Sequence, residues 1–99
     1  MNIQALMKQA QSMQKDMMKA KEEVDAMTFV GTSSFVSVTV KGTKEVIKVT
    51  IDNDDLSSDD KEMLEDMLVI ALNDAFKQVD KMTEQKMGKF TSMMPGGLF

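Results

Sequence analysis

Ninety-nine residues, 42% of them hydrophobic and 28% charged, describe one small domain, which buries a modest share of its surface unless a second subunit covers it. Neither cysteine nor histidine is present, which removes disulfides, thiol nucleophiles, the usual general base and the common zinc ligands. The formal net charge is −4, and all 12 cations are lysines, which meet phosphates as mobile point charges and lack arginine's fork for guanine.

The N-terminal residues Met1-Asn2-Ile3-Gln4 lack the pattern of a secretory signal, and no apolar run approaches the roughly 20 residues of a membrane span. A reducing cytoplasm is the expected location. Residues 1–27 form the first expected element, a long helix. Its apolar positions Ile3, Leu6, Ala10, Met13, Met17, Ala20, Val24 and Met27 alternate spacings of three and four. The seam is rich in Ala and Met, so it suits docking on its own domain, and the regular repeat also suits pairing with a second subunit.

Residues 28–52 are expected to form a three-stranded meander. Thr28-Phe29-Val30-Gly31 reads as a short strand ended by glycine. Val36, Val38 and Val40 then alternate with polar residues, as do Ile47, Val49 and Ile51. Gly42-Thr43 between them fits a two-residue hairpin turn with Gly first. A helix or second sheet must cover the apolar face.

Residues 58–89 form the second expected helix, opened by Ser57 with Asp60 three residues on. Leu64, Met67, Leu68, Ala71, Leu72, Ala75, Val79 and Met82 make one apolar stripe, while Met63, Val69, Ile70 and Phe76 fall outside it and call for a second surface. Beyond Met82 the stripe is taken by Lys86 and Lys89, so the packed part of the helix is expected to stop there and its last turns to project into solvent. Residues 90–99, with Pro95-Gly96-Gly97, read as a flexible tail.

Candidate chemistry is sparse. Counted from Asp52, an EF-hand would need Gly and Glu where Ser57 and Met63 stand, so the acidic run reads as a solvated turn. The neighbouring carboxylates Glu22/Glu23 and Glu65/Asp66 point apart on helices and form no acid–base pair. Pro95-Gly96-Gly97 lacks the lysine and helix of a phosphate-binding loop. The methionines suit core or subunit interface. Charge, however, is unevenly spread. Residues 52–66 hold eight acids against Lys61, whereas residues 1–21 hold four lysines against Asp16 and residues 77–99 hold four against Asp80 and Glu84.

The chain resembles the YbaB/EbfC family over nearly its whole length. The strings that carry the likeness are Leu6-Met7-Lys8-Gln9-Ala10-Gln11-Ser12-Met13-Gln14 and Val38-Thr39-Val40-Lys41-Gly42, followed by Val46-Ile47-Lys48-Val49-Thr50-Ile51-Asp52. Asp59-Asp60-Lys61-Glu62-Met63-Leu64-Glu65-Asp66, Ala71-Leu72-Asn73-Asp74-Ala75 and the Met93-Met94-Pro95-Gly96-Gly97 ending are similar to the family as well. The family often carries a glycine-rich stretch before its second strand; here Gly31 is followed by Thr32-Ser33-Ser34-Phe35. The resemblance implies an α+β fold, an α-β-β-β-α protomer in an intertwined homodimer with projecting helices that bind double-stranded DNA in the bacterial nucleoid.

The expectation is therefore a single-domain, non-enzymatic DNA-binding homodimer that uses no cofactor, metal, membrane or small-molecule substrate. Lys8, Lys15 and Lys19 on one helix and Lys81, Lys86 and Lys89 on the other are the expected phosphate contacts, with Gln11 and Ser12 adding hydrogen bonds. Met13, Met17, Met63, Ile70 and Phe76 are the expected dimer contacts. The competing reading is a protein-interaction adaptor or scaffold that uses the dimer cleft or the methionine-rich surfaces.

Overall fold

A computed structural model describes residues 2–91. The element order is α1 (Ile3–Asp25), β1 (Thr28–Ser33), β2 (Val36–Lys41), β3 (Val46–Ile51), a 3-10 turn (Ser58–Asp60) and α2 (Lys61–Thr91). The three strands form one antiparallel sheet in the order β1-β2-β3, so the expected α+β arrangement is present. Local signals open each helix. The Asn2 side chain accepts the Gln4 amide at 3.0 Å, and the Ser57 amide donates to the Asp60 carboxylate at 3.0 Å.

The core lies between α2 and the first two strands. Val36, Val38 and Val40 of β2 are fully buried against Ala71, Ala75 and Val79, with Leu64, Leu68, Leu72 and Phe76 around them. Small residues on the helix let it lie close to the sheet. Closest of all is β1, which continues through Gly31 to Ser33 and does not end at the glycine as the sequence suggests. A Cβ on Gly31 would collide with the Ala71 carbonyl oxygen and stand 2.5 Å from the Ala75 nitrogen. This glycine marks a close approach of strand and helix. The same helix closes the free edge of β1: Asp74 accepts the Thr32 amide at 3.0 Å, and the Gln78 amide donates to the Val30 carbonyl at 2.8 Å.

Two further expectations need correction. The β2–β3 connection is longer than a two-residue turn: residues 42–45 join the strands, and Gly42-Thr43-Lys44 lie inside the bond that the Lys41 amide donates to the Glu45 carbonyl at 2.9 Å. Lys44, with φ 72°, holds the left-handed position, and Gly42 serves packing, because a Cβ there would strike the Val24 carbonyl at the end of α1. Nor does the packed part of α2 stop at Met82. Met87 and Phe90 are only 3% and 4% exposed, and the helix runs to Thr91, which takes Phe90 and Thr91 out of the expected tail. The reason is a change of partner. Up to Val79 the helix packs on the sheet, and beyond it the buried stripe swings round to meet α1. The remainder of the expected tail, residues 92–99, lies outside the described residues.

Candidate nucleic-acid interface

The two helices run antiparallel where they meet, with Lys86 of α2 beside Glu23 of α1 at 3.7 Å. That register sets the end of α2 against the middle of α1. The first turns of α1 therefore extend past α2, and exposure along its seam rises from buried Val24, through half-buried Ala20, Met17 and Met13, to Ile3 at 71%. Rise per residue makes α2 roughly 46 Å long, and an overhang of some 14 residues adds roughly 20 Å. Together they account for the 71 Å long axis of a molecule only 22 × 14 Å across. The projecting element is thus chiefly the N-terminal half of α1, whereas the sequence pointed to the end of α2.

At 100° per residue, Lys8, Lys15, Lys19, Gln11 and Ser12 share an arc of about 100° on α1, opposite the apolar seam. All five are exposed. Among the described residues Lys8, Lys15 and Lys19 join no ion pair. The structure brings Lys19 together with Lys86 and Lys89, which line one shallow groove between the helices with Asp16, Ala20 and Glu23. Lys89 also stands 5.0 Å from the Phe90 ring. Lys81 is not brought to this groove; it lies about 140° round α2 from Lys86 by helical rotation. The acids of residues 52–66 sit at the opposite pole, around the start of α2.

Sequence reasoning missed the carboxylates of this site. In the sequence Glu23 is one of two neighbouring carboxylates that point apart and Asp16 the one acid counted against four lysines, and only the register of α1 on α2 shows that they share a groove with lysines of both helices. The expected dimer contacts fall in three places. Met13 and Met17 are half-buried on α1. Met63 and Ile70 are exposed on the flank of α2 that carries Asp74, Ile70 at 56%. Phe76 lies on the other flank, beside Leu72 and the exposed Val69. That second flank looks toward β3, because Asp80 on the same side pairs with Lys44 of the hairpin at 2.8 Å.

No residue of β3 is buried. Ile51 and Val49 stand opposite the buried Val36 and Val38, so the apolar face of the sheet continues past the cover that α2 provides. No group of three or more acidic side chains is placed to hold a metal ion among the described residues, and none of their helices is long and apolar enough to cross a membrane.

A model of the YbaB/EbfC DNA-binding family matches residues 1–94. A nucleoid-associated protein of Lactococcus lactis subsp. cremoris is 44% identical over 97 residues, covering 96% of this chain and 98% of its own. One from Enterococcus faecalis is 39% identical, covering 96% of this chain and 93% of its own. The crystal structure of the uncharacterized protein HP0035 from Helicobacter pylori superposes with a TM-score of 0.71 at 27% identity, covering 95% of this chain and 99% of that one.

Proposed function

This chain belongs to the YbaB/EbfC DNA-binding family, and on that footing we propose that it is a single-domain, non-enzymatic, nucleoid-associated protein of the cytoplasm whose dimer grips duplex DNA through lysine–phosphate contacts. The observation that carries this reading is the lysine face of α1. Lys8 and Lys15 lie in line on the half of α1 that stands clear of the domain, with Gln11 and Ser12 between them as hydrogen-bond donors, and Lys19 follows in the same arc where α2 meets α1. Lys86 and Lys89 continue the positive surface where α2 meets α1. Lys81, on another side of α2, reaches DNA only through the dimer's geometry. Point charges without arginine favour phosphates over base edges, so binding depends on salt and little on sequence.

What the protomer leaves open supports the dimer. A second copy would cover the apolar face of β3 and the exposed Val69, Met63 and Ile70, with Phe76 at the boundary of the core and Met13 and Met17 along the arms. Fluorescence anisotropy with a random-sequence duplex tests the DNA reading. If about six phosphates are engaged, log K falls against log salt with a slope near −5. Absence of binding at low salt rejects it. The adaptor reading draws on Met7 and Met18, both exposed on α1. It gains if a protein partner stays bound after nuclease treatment while free duplex is not bound.

A further inference from the structure

The groove between α1 and α2 has a feature that phosphate binding alone does not require. Its three cations, Lys19, Lys86 and Lys89, are lined up with two carboxylates, Asp16 and Glu23. Glu23 is within 3.7 Å of the Lys86 ammonium, and both side chains remain partly open to solvent. This ion pair ties one helix directly to the other.

Resting on the DNA-binding reading above, we propose that Glu23 is an internal competitor for phosphate. It holds Lys86 in the free protein and, with Asp16, caps how tightly the interhelical groove can take a nucleic-acid backbone. A carboxylate offers the same charge-assisted acceptor to lysine that a phosphate oxygen offers. Each DNA phosphate that claims Lys86 must displace Glu23 and leave it nearby as a repelling charge. The position is suited to this task. The acidic pole is tens of ångströms away and screened, whereas Glu23 lies well within a Debye length of about 8 Å at physiological salt. A protein that must slide along and leave DNA is served by such a ceiling on affinity.

The sign of the effect separates this role from a structural one. If the pair served only to hold α1 against α2, removing it would loosen the site and weaken binding. As a competitor, its removal strengthens binding. An exposed pair of this kind shifts an equilibrium by up to about fivefold, and the dimer carries two. Anisotropy on the full-length chain with a random-sequence duplex should therefore show Glu23→Gln binding about three- to tenfold tighter than wild type. Asp54→Asn, which changes net charge equally but in the exposed loop before α2, should alter affinity by less than about twofold. Far-ultraviolet dichroism should be the same for all three proteins. If Glu23→Gln binds no tighter than wild type, or if Asp54→Asn tightens binding as much, the proposal fails while DNA binding stands. If wild type binds no duplex even at low salt, both readings fall.

Discussion

The contact between Gly31 and α2 is a sensitive point of the fold, and Gly31→Ala measures it. The added methyl group would meet the Ala71 carbonyl oxygen, would stand 2.5 Å from the Ala75 nitrogen and would stand 2.9 Å from the Ala75 Cβ. Two of these are backbone atoms of a helix and the third is a methyl fixed to it, so no side chain can rotate away. Relief requires α2 to lift from β1 by at least about 1 Å to restore an ordinary separation of roughly 3.5 Å. Overpacking of this kind costs about 1–3 kcal/mol. The displacement also stretches the Thr32–Asp74 and Val30–Gln78 hydrogen bonds, now 3.0 and 2.8 Å, each worth about 1 kcal/mol. A loss of about 3 kcal/mol is expected, which lowers the melting temperature of a domain this size by about 15 °C. Urea unfolding followed by dichroism, at one fixed protomer concentration because of the expected dimer linkage, reads it directly. A loss below about 1 kcal/mol would refute the argument, since the helix would then have room to spare.

Ser34, in the β1–β2 turn with φ 53°, occupies a backbone region that costs a non-glycine residue about 1 kcal/mol; Ser34→Gly should stabilise the protein by about 0.5 kcal/mol after the added chain entropy, in the same urea assay. Val49→Asp and Ile70→Asp each place a charge on a surface assigned to the second copy. Burying an unpaired carboxylate costs several kcal/mol, so both variants should sediment as monomers, and a dimeric Ile70→Asp would remove Met63 and Ile70 from the interface. Lys8→Gln and Lys15→Gln should each make the salt dependence of DNA binding shallower by about 0.9 for every phosphate that is no longer neutralised. An unchanged slope would place the DNA elsewhere.

Much of the fold was legible because its signals are local. The heptad of α1, the alternating valines of β2 and the Ser57–Asp60 cap each act within a few residues, and the structure shows all three. What escaped depends on neighbours distant in sequence. Gly31 looks like a terminator until Ala71 and Ala75 are seen pressing on it. The stripe of α2 seems to end at Met82 because one helix faces two partners in succession, the sheet and then α1, and Met87 and Phe90 belong to the second. The lysine face of α1 could be found from rotation alone. Its counter-charges could not, since the meeting of Glu23 with Lys86 is set by interhelical register, which no single helix encodes.

An acidic chain is a paradoxical partner for DNA, and the geometry removes most of the paradox. Net charge governs recognition only where its contributions reach the same place. Here eight acids of residues 52–66 gather around the start of α2, and the unpaired lysines Lys8 and Lys15 lie on the overhanging half of α1 toward the other end of a 71 Å molecule. At physiological ionic strength the field of an exposed charge decays over about 8 Å, so the acidic pole is nearly invisible to a duplex lying along α1. It still bears on association in another way. DNA approaching that pole is repelled within the same short range, which on the proposed reading favours encounters at the lysine-bearing arms. If the duplex lies along α1 as proposed, the charges that modulate affinity are the few carboxylates inside the screening distance, above all Glu23, and the remaining acids would orient the encounter without weakening the contact.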